Sequence, residues 1–347
     1  MKVVFRCDAS MRLGMGHLMR CLTLATVLFR AGATISFVCR KSAVDLTARL
    51  RSRGFEVALI GNEDTDEIVP VSEDARETAA ILADFQQVDW LVVDHYALGA
   101  DWELVQRKYA RNIMVIDDLA NRRHDCDILL DQNLFADANM RYQGLLPDGC
   151  RPLLGPHYAL LRQEFMEYRN NSRINTSKKR LFVSFGGGDF TNETAKVLNA
   201  IRDADFTELV VDVVIGAANL NYDKIAELCA SISNVKLYRE VDNMAELMAA
   251  ADFCIGGGGS TTWERCCIGL PSIVITVALN QIEPMQQLAE AGAIILYTGS
   301  RTASGYREAL EALLTGRYDL HSISKTGQML YDGEGALRVY RSMTEVS

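Results

Sequence analysis

Apolar runs of strand length alternate with stretches of helical period along most of the chain. In the first half the runs are KVVFRC at 2–7, TISFVCR at 34–40, EVALI at 56–60, WLVVD at 90–94, NIMVIDD at 112–118 and DILLDQ at 127–132. Between the first two, Leu18, Cys21, Leu22, Ala25, Leu28 and Phe29 recur at helical spacing, and Gly32 follows as a stop signal. Regular alternation of this kind predicts a parallel sheet covered by helices on both faces. The acidic stretch NEDTDEIVPVSED at 62–74 interrupts it and reads as a solvated surface excursion.

A second series opens with KKRLFVSFGGG at 178–188 and continues through ELVVDVVIG, VKLYREV, DFCIGGGG, PSIVITV and AIILYTG. From about residue 304 onward the pattern is helical. The polar segment RNNSRINTSKK divides the two series and has the composition of a linker. The expected organisation is an N-terminal domain over 1–165, a linker over 166–179 and a C-terminal domain over 180–347. Both are α/β, two Rossmann-like parallel-sheet domains with a cleft expected between them.

Composition narrows the function. At 347 residues, 49% hydrophobic and 23% charged, the chain suits two globular domains of ordinary size. No apolar run approaches the ~18–20 residues that span a bilayer, and the start, MKVVFRCDAS, has no long apolar core or cleavage motif. The nine cysteines are scattered without a Cys-x-x-Cys pair, which points to reduced core thiols, a cytoplasmic location and no metal site. A net charge of −9 disfavours a nucleic-acid surface, yet local backbone dipoles can still hold an anionic small molecule. The expected partner is therefore a small molecule, with no nucleic acid, membrane or cofactor; oligomeric state is left open.

Three strand-to-helix junctions carry the candidate chemistry, since ligands of open parallel sheets bind at the carboxyl ends of the strands. They are Gly14-Met15-Gly16-His17, Gly186-Gly187-Gly188-Asp189 and the run from Gly256 through Gly259 to Ser260, Thr261 and Thr262. None is a P-loop, and none is a clean dinucleotide fingerprint. In the third, successive amides, two hydroxyls and a helix start converge, which favours a phosphate. Four consecutive glycines cost up to ~1 kcal/mol each against alanine, so a close approach is expected to justify them. For 186–188 a tight turn without ligand explains the glycines equally well. Glu264, one helical turn beyond Ser260, is placed to accept two hydrogen bonds from a ribose diol. Asn280 and Gln281 supply polar groups at the end of a further strand.

The stretch GGGGSTTWERCCIGLPSIVI followed by NQ resembles the nucleotide-binding half of GT-B-fold proteins, especially the MurG-like glycosyltransferases. FRCDASMRLGMGHLMRCLTLA, with VVDHY at 92–96, LLGPHYALLRQEF at 153–165 and SFGGGDFTNET at 184–194, is similar to the UDP-sugar hydrolases of the pseudaminic-acid pathway. The resemblance runs from residue 2 to about 290. It implies a GT-B-like fold and release of UDP from UDP-2,4-diacetamido-2,4,6-trideoxy-β-L-altropyranose, on the route to a sugar that decorates flagellin. It also implies a catalytic role for His17, a sugar-facing Tyr96, and a substrate-facing loop of Gly187, Asp189 and Asn192. The UDP half falls on Gly257, Gly258, Gly259, Ser260, Thr261 and Glu264, and Gly187, Asn280 and Gln281 are counted with it as expected UDP-binding residues.

The chemistry follows from the leaving group. UDP departs readily, so no carboxylic acid need protonate it, unlike the carboxylate pair of ordinary glycosidases. Loop amides and a helix start can meet its growing charge. Water is the nucleophile, and a neutral histidine at position 17 suits proton removal from it, with inversion expected. The helix dipole is expected to keep that ring uncharged, and Gly14 and Gly16 to let the loop close on the sugar. Asp94 is placed to orient either His17 or Tyr96, and Arg6 with Asp8 to brace the loop or contact sugar. Two rivals stand beside hydrolysis: transfer of the sugar to an acceptor hydroxyl, and nucleotide-sugar binding without catalysis.

Overall fold

In a computed structural model the described residues are 1–8, 16–41, 47–61, 69–85, 87–169, 179–204, 206 and 209–346. The chain divides into two compact units, Met1–Leu161 with Glu334–Ser347, and Arg162–Gly333.

The first unit holds seven strands: β1 Lys2–Cys7, β2 Thr34–Arg40, β3 Glu56–Ile60, β4 Val88–Asp94, β5 Ala110–Ile116, β6 Ile128–Asp131 and β7 Arg151–Leu154. All pair in parallel, in the order β3-β2-β1-β4-β5-β6-β7. Both faces are covered, which is why β1 reads as an unbroken apolar run. Val3, Phe5 and Cys7 pack on one side with Leu18, Cys21, Leu22, Ala25 and Leu28 of the helix Gly16–Arg30, while Val4 joins Val38, Leu91 and Val93 on the other. Six of the strands coincide with the expected runs. β7 does not, because RPLL is four residues long and carries a proline, which suits only a sheet edge.

The second unit holds β8 Lys179–Ser184, β9 Leu209–Ile215, β10 Val235–Arg239, β11 Phe253–Gly257, β12 Ser272–Ile275 and β13 Ile295–Leu296. These are also parallel, in the order β10-β9-β8-β11-β12-β13. In both sheets the order reverses at one place, between β1 and β4 and between β8 and β11. A crevice for ligand opens at such a reversal.

The boundaries differ from the expected 165/180 division. The helix Gly335–Val346 returns to the first unit, where Ala336, Val339 and Met343 complete the core around Leu18 and Leu22. Gly335 permits its entry, since a Cβ there would lie 2.6 Å from the Ala159 nitrogen. The helix Gln163–Tyr168 falls in the second unit, and the rest of the expected linker, 170–178, lies outside the described residues. The acidic excursion is likewise cut short. Residues 62–68 are outside the described set, but 71–74 start the helix Val71–Asp84, and Asp74 is buried against Arg6. Among the described residues no helix is long and apolar enough to cross a membrane. All cysteines are thiols, and all but Cys150 are buried.

Candidate active site

In the first unit the reversal point brings the end of β1 beside the end of β4, with Cys7 in register with Asp94. The helix after β1 begins at Gly16, so His17 projects from its first turn. Its Nδ1 lies 2.5 Å from Asp94 Oδ1, and both side chains are buried. A carboxylate only accepts, so Nδ1 carries the proton and Nε2 the lone pair. Arg20, one turn along the same helix, donates from Nε and Nη2 to the two Asp94 oxygens, each at 2.6 Å. Burial works against charge on Asp94, but Arg20 and then His17 outweigh it and hold the carboxyl well below the usual carboxylate range. Tyr96 stands edge-on to the imidazole at 4.6 Å between ring centroids. Burial and the Asp118 carboxylate push its phenol far above the ordinary value, so the hydroxyl stays protonated.

The alternatives left open by the sequence resolve here. Asp94 orients His17 through the Nδ1 contact. Arg6 and Asp8 form a brace: Arg6 is fully buried, binds Asp8 at 2.5 and 2.9 Å, and reaches Asp74 at 2.6 Å. His95 Nε2 joins Asp8 at 3.3 Å, and His124 is buried against Glu103 at 2.7 Å. Gly14 lies outside the described residues. Gly16 is exposed, and a Cβ on it would meet nothing within 4 Å, so the described fold does not itself require that glycine. Arg20 was not anticipated. Its signal is an arginine three residues after the histidine on an otherwise apolar helical face.

In the second unit the reversal point sets the loop after β8 beside the loop after β11. The two are in contact, as a Cβ on Gly257 would lie 3.5 Å from the Phe185 carbonyl oxygen. After β11 the chain enters the helix Thr261–Ile268, where the Thr262 and Trp263 amides turn back onto the Gly259 and Ser260 carbonyls at 2.9 and 3.1 Å. Gln281 closes the other side: its Oε1 accepts from the Val277 amide at 2.9 Å, and its Nε2 comes within 3.9 Å of where a Gly259 Cβ would be. Asn280, beside it, is exposed. Glu264 receives Arg162 Nη2 at 3.2 Å, and burial, only partly opposed by Arg162, raises its carboxyl above the ordinary value. Arg162 is a second residue the sequence reading missed. It comes from 102 positions upstream, where nothing local links it to Glu264.

The tetraglycine run has two explanations rather than one. None of the four glycines has a positive φ. A Cβ on Gly256 would lie 2.6 Å from Arg265 Nη1, and one on Gly258 would lie 2.8 Å from Met285 Cγ, so these two are demanded by packing. Arg265 is itself a buried brace, donating to the Gly257 carbonyl and the Thr262 hydroxyl at 2.8 Å. Gly257 and Gly259 have ordinary room. Gly256→Ala should therefore lower the melting temperature, with overpacking worth about 1–3 kcal/mol. Gly259→Ala should melt like the parent and lose affinity for UDP; thermal scans and calorimetric titration read the two effects.

The loop after β8 departs from expectation at Asp189. Gly186 takes a left-handed φ of 82°, Asp189 one of 43° and Asn192 one of 54°. Asp189 does not face outward: its two carboxylate oxygens accept the amides of Glu193 and Thr194 at 2.8 and 2.9 Å, capping the helix Glu193–Ala204. A carboxylate at a helix start satisfies amides that would otherwise go unpaired, and that occupies it. Gly187 and Asn192 remain part-exposed after β8, with Gly187 packed closely against Gly216 at the end of β9.

Two α/β units, each with its polar groups gathered where the strand order reverses, define the GT-B class. Acinetobacter baumannii MurG superposes over 99% of this chain and 100% of its own, with a TM-score of 0.65 at 12% identity. A Staphylococcus aureus MnaA–UDP co-structure covers 99% and 96%, with a TM-score of 0.63 at 12% identity. Residues 180–327 match the glycosyltransferase family 28 C-terminal domain, so the second unit is glycosyltransferase-like. The chain is similar to the UDP-2,4-diacetamido-2,4,6-trideoxy-β-L-altropyranose hydrolase of Campylobacter jejuni, at 26% identity over 298 residues, 86% of this chain and 99% of that one.

Proposed function

We propose that the protein hydrolyses a UDP-sugar at its anomeric carbon, with His17 as general base. The observation that carries this reading is the buried His17–Asp94 pair, which leaves Nε2 as the basic atom on a residue at the end of β1. In the proposed step Nε2 takes a proton from water as its oxygen attacks the anomeric carbon. The bond from that carbon to the diphosphate oxygen breaks, and its electron pair leaves with UDP. Attack opposite the leaving group inverts the centre. Asp94 stabilises the imidazolium that forms, in the manner of a catalytic triad. The second unit would receive the diphosphate at the start of the helix Thr261–Ile268 and the ribose at Glu264, with Ser260, Thr261 and Gln281 around it.

Similarity to the Campylobacter hydrolase supports UDP-2,4-diacetamido-2,4,6-trideoxy-β-L-altropyranose as substrate. With that substrate the protein would serve cytoplasmic pseudaminic acid synthesis for flagellin glycosylation. The match to a glycosyltransferase domain favours one rival, transfer to an acceptor hydroxyl. Incubation with the UDP-diacetamido sugar and no acceptor separates the two. Equal amounts of UDP and free sugar, with oxygen-18 from labelled water on the sugar, are expected. UDP released only when an alcohol acceptor is added would establish transfer instead, and intact substrate under both conditions would leave binding alone.

A further inference from the structure

The His17 site carries one charged group that the proposed mechanism does not use. Asp118 follows β5, the strand next to β4, and its Oδ2 receives both Arg20 Nη1 at 3.2 Å and the Tyr96 hydroxyl at 3.4 Å. Those two donors are the groups that flank the imidazole. Arg20 Nη2 sits 3.2 Å from His17 Nδ1, and the Tyr96 ring lies against the His17 ring. The other Asp118 oxygen, Oδ1, is buried and has no hydrogen-bond partner among the described residues.

A charge count shows what this carboxylate adds. Asp94 and Arg20 alone form a neutral pair. With Asp118 the cluster beside His17 is a guanidinium between two carboxylates, net −1. One positive charge on the imidazole balances it, which is the state the ring enters when it accepts a proton. We propose that Asp118 is a positioning residue for His17: through Arg20 and Tyr96 it holds the ring in place and supplies the negative charge that balances the imidazolium. The other ionisable neighbours include Cys21, whose thiol donates to Asp94 at 3.5 Å, Arg141, whose Nη2 donates to the Asp118 main-chain carbonyl at 3.0 Å while its charge faces Asp131, and Asp131 itself at the end of β6, beside Asp118. Burial pushes the Asp131 carboxyl up to about 7, so near neutral pH it is only partly charged and does not replace Asp118.

The test reads the ring itself, without substrate. Nitrogen-15 imidazole resonances of the intact protein are followed against pH, with His17 assigned among the five histidines by the signal missing in His17→Gln. In Asp118→Asn the His17 ring should take up its proton at lower pH than in the parent, and Asp118→Glu should restore the parental midpoint. Asp118→Ser serves the same comparison if the asparagine variant does not fold. An unchanged midpoint in a folded, charge-removing variant would overturn the proposal. A second arm rests on the hydrolase reading: kcat should fall about tenfold in Asp118→Asn, less than the roughly 10²–10⁴-fold that a whole general base contributes, with UDP affinity unchanged. Loss of UDP affinity, or an unchanged kcat in an active enzyme, would count against it. A chain without hydrolase activity would overturn the hydrolase reading, and the ring titration would still decide the role of Asp118.

Discussion

His17→Asn is expected to lower turnover of the UDP-sugar by on the order of a thousandfold, with UDP bound in calorimetry as tightly as by the parent. Asparagine at the second position of the helix offers no basic nitrogen, so water must attack without proton removal. Part of the rate should survive, because in the proposed mechanism stabilisation of departing UDP falls to the second unit, whose loops the substitution does not touch. The variant therefore separates chemistry from binding. Equal losses of kcat and of UDP affinity would mean that the ring acts by holding nucleotide, and the general-base assignment would fall.

Asp94→Asn has the wider effect, on both rate and stability. An amide presents a donor as readily as an acceptor, so the ring can settle with Nδ1 unprotonated and Nε2 no longer basic, and kcat should fall by an amount comparable with His17→Asn. The same change leaves Arg20, 6% exposed, with its doubly bonded partner uncharged. Breaking one half of a buried ion pair costs about 3–5 kcal/mol. The pH dependence has a definite sign. The folded Asp94 carboxyl lies below the ~3.9 of an unfolded aspartate. Its stabilisation is then complete above that value and is lost as pH falls through the folded value. Urea midpoints should show the parent's advantage in full at pH 7, shrinking steadily below about pH 4. A gap that stays constant into acid would mean that the pair contributes no net charge stabilisation.

The strands, both parallel sheets and the junctions where ligand groups gather were legible because they depend on local period and on glycine at strand ends. Arg20 and Arg162 were not, because each acts through a partner distant in sequence, Asp94 at 74 positions and Glu264 at 102. A charged residue gives no sign of such a partner in its own neighbourhood. Asp189 misled for a related reason. An aspartate after three glycines suits a ligand loop and a helix start equally well, and only the Glu193 and Thr194 amides decide between them. The tetraglycine run mixed two demands, packing at Gly256 and Gly258 and open backbone at Gly257 and Gly259. Its composition shows their sum. The return of Gly335–Val346 to the first unit left no trace either, since an amphipathic stripe names no partner.

That returning helix makes the second unit an insertion within the first, and the ends of the insertion meet, with Met166 Cβ 3.2 Å from where a Gly333 Cβ would stand. During synthesis the second unit can close as soon as Gly333 has left the ribosome. The amino-terminal half, although made earlier, must wait for Ala336, Val339 and Met343 to seal the surface around Leu18 and Leu22. A nascent chain halted before that point would present a finished second unit and an unfinished first one.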